Sequence, residues 1–277
     1  MQDPNEPAST ASQPTPRLIP VDVSSHIDAW WGLFIIVILI ILALVIFKPD
    51  PYRDIIVFVW DGVMVTLYVT VASFFLTLIA GLFGGLGRLS KNPVIFGISS
   101  LYVELVRGIP LLVQLIWWYF AFPVVLQSLG KSLGLQALES YNANPIAMSI
   151  LGLTFCYGAY MSEIYRAGIQ SIPKGQTEAA KSLGMNYFQA MRYVILPQAI
   201  RVILPPVGNE FIALLKDSSL VSAVAVADLT RRGREYMSSS FIPIETWTMV
   251  ALLYLVLTLF SARVASYIEK KVKVAER

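Results

Sequence analysis

The sequence predicts an all-α membrane protein, and three observations carry that prediction. First, 56% of the 277 residues are hydrophobic and only 14% are charged, where a soluble domain carries about 25% charge. Second, mean hydropathy is +0.65. Third, long stretches contain no charge at all. Trp30–Phe47 runs for 18 uncharged residues, Gly62–Gly87 for 26, Gly108–Gly130 for 23, Asn142–Ser162 for 21 and Thr246–Ala262 for 17. Each approaches or exceeds the roughly 20 residues that a helix needs to cross a hydrocarbon core. A further apolar stretch, Val194–Val226, carries Arg201, Glu210, Lys216 and Asp217 and reads as a span with polar breaks. Six spans result, five of them after residue 55.

The ends frame these spans. Residues 1–29 hold five prolines, several Ser and Thr and few apolar side chains, the composition of a disordered tail. No basic region precedes the first apolar run, so residues 30–47 read as an extra N-terminal transmembrane helix rather than a signal peptide. Trp30 and Trp31 suit the interfacial aromatic belt. Residues 271–277 read as a C-terminal tail after a core of 55–270. In Gly62–Gly87, Gly81 and Gly85 have the small-xxx-small spacing that lets helices approach closely.

Other classes are excluded by inventory. A net charge of +3 does not call for nucleic acid. One Cys (Cys156) rules out an internal disulfide and a multi-cysteine metal site, and one His (His26) precedes the first span. There is no metal-ligand cluster and no nucleophile–base pair, so a membrane enzyme has no support. Gly130–Ser132 reads Gly-Lys-Ser, but the residue five before Gly130 is Val125, where a phosphate-binding loop needs Gly.

Lysine and arginine counts orient the spans. Arg88 and Lys91, then Arg166, Lys174, Lys181 and Arg192, then Arg263, Lys270, Lys271, Lys273 and Arg277 fall on one side if crossings alternate. That side is the cytoplasm, and both termini then lie there. The tail, with Arg17 but more acids than bases, and Arg231, Arg232 and Arg234 on the outer side run against the rule.

The loop 171–197 is polar and helix-prone. Pro173 suits the first turn of a helix. Glu178 falls early in it, where its charge complements the macrodipole. Gly184 supplies a left-handed stop. Asn186 and Gln189 have capping-box spacing for a second helix, with Tyr187, Met191 and Val194 on one face. Pro197 then breaks or bends the chain as it re-enters the membrane. Helices this short need a partner surface, which is either the chain's own membrane domain or another protein.

Glu178-Ala179-Ala180, Gly184 and Val194-Ile195-Leu196-Pro197 resemble the signature loop of permease subunits of bacterial ATP-binding-cassette (ABC) importers, with Val where the signature has Ile. "YVELVRGIPLLVQLIWWYFAFP", "AYMSEIYRAGIQSIPKGQTEAA" and "LPPVGNEFIALLKDSSL" resemble the polar amino acid branch of that family, over roughly residues 58–270. The resemblance implies a type I ABC importer-like transmembrane domain of five core helices. It implies that Glu178, Ala179, Ala180, Gly184 and Pro197 belong to a coupling loop seated in a groove of a separate ATPase. The partners it implies are two ATPase subunits, a second permease (self or homologue), a periplasmic or extracellular amino acid-binding protein and the lipid bilayer of the bacterial inner membrane. ATP-Mg is used by the ATPase, and this chain binds no cofactor.

Charges inside a span face a bundle interior or a pathway. Glu210 and Asp217, seven apart, share a helix face, and Asn209 and Lys216 form an adjacent stripe. Ser218 and Ser219 follow, and Gln114 lies in the third span. A zwitterionic amino acid needs acceptors for its ammonium, which Glu210 or Asp217 offer. It needs donors for its carboxylate, which Gln114, Ser218, Ser219 or backbone N–H groups of a broken helix offer. The alternative pairs Lys216 with Asp217 and Glu210 with Arg201 or a neighbouring subunit. Glu104 and Arg107 read as an ion pair at the cytoplasmic interface. The intramembrane acids also leave open an ion-coupled secondary transporter, which would have no use for the loop.

Overall fold

The computed structural model describes residues 29–274; most of the Pro-rich tail and the last three residues of the C-terminal tail lie outside the described residues. Among those described, every regular element is helical. In chain order they are α1 (Ala29–Phe47), α2 (Pro49–Arg88), α3 (Pro93–Gly108), α4 (Leu111–Ile116), α5 (Phe122–Leu133), α6 (Gln136–Glu139), α7 (Pro145–Gln170), α8 (Lys174–Ser182), α9 (Tyr187–Ala190), α10 (Leu196–Asp217), α11 (Leu229–Ser240) and α12 (Pro243–Val274).

Four stretches are long and apolar enough to cross a membrane: Pro49–Arg88, Leu111–Leu133, Pro145–Gln170 and Pro243–Val272. Trp31–Phe47 is a shorter apolar helix. The expected C-terminal tail starts as helix, since α12 continues through Val274.

The centre of the bundle is α2 against α7. Small residues make the approach possible. A Cβ on Gly81 would sit 2.5 Å from Met161 Cβ, and one on Gly85 would sit 2.9 Å from the Ser162 carbonyl oxygen. No side chain fits there without moving a helix. At the end of this contact Arg88 of α2 pairs with Glu163 of α7 at 2.6 Å, and Glu163 also pairs with Arg166.

Prolines shape the spans in a repeated way. Trp117–Ala121 is a π turn that joins α4 to α5, and Met191–Ile195 is a π turn that joins α9 to α10. Each ends two residues before a proline, Pro123 or Pro197. A proline has no N–H for the i−4 carbonyl and its ring crowds that group, so a wider turn relieves both problems. Of the two expected outcomes at Pro197, a break does not occur. The path from Tyr187 to Asp217 stays helical throughout.

The helical path is broken at two further places. Between α3 and α4 the chain becomes extended at Ile109 (φ −106, ψ 131), and Pro110 follows (φ −57, ψ 137). After α10, a 3-10 segment (Ser218–Val224) leads to Ala225 in the left-handed region. Asp228 then caps α11, accepting from the Thr230 and Arg231 N–H groups at 3.0 and 3.1 Å. The helix α11 returns along α2. Leu229 N–H donates to Thr66 Oγ1 at 3.1 Å, and Arg232 pairs with Asp61. Arg231 and Arg232 both bond Glu235 at 2.9 Å. Arg231 and Arg232, two of the three arginines that ran against the charge rule, are thus held by acids of their own end of the bundle.

Candidate functional site: a charged cavity at two helix breaks

The break after α3 and the end of α10 meet on the same stretch of α7. Between them lies a cavity of about 490 Å³ lined by Arg107, Gly108, Ile109, Pro110, Leu111, Cys156, Tyr157, Tyr160, Glu210, Ala213 and Asp217. Glu210 and Asp217 reach it because seven residues make almost two turns, which puts both carboxylates on one face of α10. The Tyr157 hydroxyl donates to Asp217 Oδ2 at 2.7 Å, leaving the second carboxylate oxygen without a bond from this tyrosine. The Arg107 guanidinium stacks over the Tyr160 ring at 5.1 Å. Arg107 and Asp217 both act electrostatically on Glu210, yet no direct ion pair joins Arg107 to either carboxylate.

Arg107 is therefore not the interfacial partner of Glu104. Both residues are exposed on α3, but Arg107 lines the cavity and Glu104 does not. Lys216 is exposed, and the bonded partner of Asp217 is Tyr157. The remaining candidates lie elsewhere. Asn209 is exposed on α10 and does not line the cavity. Ser218 is buried and donates to the Leu215 carbonyl at 2.8 Å, and Ser219 is half-buried outside the lining. Gln114 lines a separate, apolar cavity of about 600 Å³ with Trp117 and Trp118, on the other side of the α3–α4 break. Sequence reading missed Tyr157 and Tyr160. Both lie on α7 three residues apart, a helix-face spacing that was the one signal available.

The loop between α7 and α10 is built by its own caps. Gly184 (φ +77) closes α8: its N–H donates to Lys181 O at 2.9 Å, and Met185 N–H donates to Ala180 O at 3.1 Å. This is the paired bonding of a Schellman stop. Asn186 and Gln189 exchange bonds of 2.9 Å each as a capping box on α9. Pro173 precedes the first helical residue, and Glu178 sits in mid-helix, exposed, rather than in the first turn. Ala180 is 2% exposed and packs inward, so only Ala179 of the alanine pair is open to an outside surface. The most exposed apolar side chains of this loop are Leu183 (79% exposed) and Phe188 (81%).

Residues 73–274 match the family described as "Binding-protein-dependent transport system inner membrane component". The chain belongs to this family. Its members are multi-pass inner-membrane permease subunits of ABC importers, which work with a binding protein and leave ATP hydrolysis to a separate subunit. The Gly-Lys-Ser at Gly130–Ser132 lies within the α5 helix. The chain is 35% identical to an arginine transport system permease protein of Corynebacterium glutamicum, over 98% of this chain and 88% of that protein. It is 33% identical to a glutamine transport system permease protein of Escherichia coli, over 77% of this chain and 92% of the relative. Among solved structures, an amino acid ABC transporter with histidines superposes with a TM-score of 0.68 at 36% identity, covering 83% of this chain and 97% of that one.

Proposed function

We propose that this chain is the translocation subunit of an ATP-driven importer for amino acids with cationic side chains. The observation that carries the proposal is the charge of the cavity: two carboxylates and one guanidinium face the same 490 Å³. A free amino acid presents one carboxylate and one ammonium. The α-carboxylate is matched by Arg107, whose planar fork suits two-point bonding and whose ring stack on Tyr160 orients it. The α-ammonium then takes one acid. The second acid is left for a second cation, which a basic side chain supplies and a neutral or acidic one does not. The arginine transport permease among its relatives supports this assignment.

The coupling loop and C-terminus lie in the cytoplasm, and the Asp61–Arg232 end faces outward. The chain pairs with a second permease, two ATPases dock on the α8–α9 loops, and a binding protein delivers cargo from outside. When the ATPases close, the loops move with them, and the cavity exchanges access from one side to the other as a rigid-body transition.

The test is direct binding of labelled arginine, glutamine and glutamate to the permease–ATPase complex without the binding protein, which removes that protein's own selectivity. Arginine should bind, and Glu210→Gln and Asp217→Asn should each weaken it by about tenfold or more, the loss of one charged hydrogen bond. Preference for glutamate, or arginine binding unchanged in both variants, would refute the reading.

A further inference from the structure

Helix α3 stops at Gly108 beside the charged cavity, and its last carbonyls lack an i+4 helical donor. Pro110 has no N–H to offer, and the Ile109 N–H reaches Val106 O only at 3.4 Å. The primary amide of Gln114 supplies what the backbone lacks. Its Nε2 donates to Val106 O at 2.8 Å and to Ile109 O at 2.8 Å, and it lies 3.5 Å from Cys156 Sγ. Gln114 as a whole is 6% exposed. The opposite amide orientation would set its oxygen against two carbonyl oxygens, so the donors must point at the break.

The backbone pinned in this way is the cavity wall, from Arg107 to Leu111. Gln114 itself stands behind that wall, on its apolar side. We infer that Gln114 is a positioning residue for transport: through two backbone carbonyls it fixes the α3–α4 break, and so holds Arg107 opposite Glu210 and Asp217 without touching cargo. This rests on the reading of the charged cavity as the cargo site.

The experiment uses the intact importer in lipid. Gln114→Leu keeps the side-chain bulk and removes both donors. Gln114→Glu, neutral when buried, keeps one. Two quantities are read: KM and kcat for ATP-driven arginine uptake, and the rate at which a small cationic methanethiosulfonate reagent modifies Cys156, the chain's single cysteine. With Gln114→Leu, KM should rise about tenfold with kcat within about twofold, and Cys156 should react about fivefold faster, as expected when a buried bond pair is lost. Gln114→Glu should fall between Leu and wild type on both scales. Unchanged KM together with unchanged Cys156 reactivity in Gln114→Leu overturns the inference. If that variant fails to assemble with the ATPase, the same result in Gln114→Glu overturns it. Cys156 modification needs no cargo, so faster modification with unchanged KM shows that Gln114 holds the break while the cargo-site reading fails. That outcome overturns its role in transport.

Discussion

Gly184 separates a conformational requirement from a docking one. Its φ is +77, and a Cβ built there meets no atom within 4 Å. Within this chain, Gly184→Ala therefore incurs only the backbone penalty. An L-residue in the left-handed region costs about 1–2 kcal/mol, a factor of about 5–30 in the population of the closed stop. If the elbow seats in an ATPase groove, ATPase affinity should fall by at least that factor in Gly184→Ala and further in Gly184→Val. Gly184→Asn tolerates the left-handed region. It should recover the conformational part and retain only the loss caused by bulk in the groove. The assay is titration of purified ATPase onto the permease in nanodiscs, with ATP-driven uptake measured on the same preparations. Wild-type ATPase affinity and uptake in both Ala and Val variants would refute the docking role of the elbow.

Replacing Leu183 and Phe188 together by Ser should weaken the same titration while leaving thermal stability of the isolated permease within about 0.5 kcal/mol, since exposed sites contribute little to the fold; a stability loss with normal ATPase affinity would assign them to internal packing. Gly81→Val should destabilise the bundle by about 1–3 kcal/mol through overpacking on Met161, visible as a lower Tm in detergent, and an unchanged Tm would refute the close α2–α7 approach. A double-mutant cycle of Asp61→Asn and Arg232→Met should give a coupling below about 1 kcal/mol, because the side chains are 55% and 30% exposed. A larger value would mean that this pair is shielded from water in the assembled importer.

What could be read from the sequence was what local chemistry decides. The apolar runs, the glycine stop, the capping box and the two-turn spacing of Glu210 and Asp217 all follow from residues close in the chain. The site's other half does not. Arg107 reaches the cavity only because α3 breaks at Ile109–Pro110, and Gln114 finds its carbonyls only once that break exists. Neither follows from helix periodicity, which predicts an uninterrupted face. Ala180 illustrates the same limit: the alanine pair marks a helix side, but which member turns inward depends on how α8 folds back on the π turn before α10.

The helical path from Tyr187 to Asp217 has a mechanical consequence. Its 31 residues span about 46 Å at about 1.5 Å per residue, so one strut joins the exposed loop to the charged cavity. Pro205 and Pro206 lie within it and remove two of its internal donors, which makes that point its softest. Both Glu210 and Asp217 lie beyond this joint, on the cavity side. Any bending there swings the two carboxylates as one body, in step with each other and against Arg107 on the separate α3. Grip and release of a ligand held between them are then a single motion rather than two.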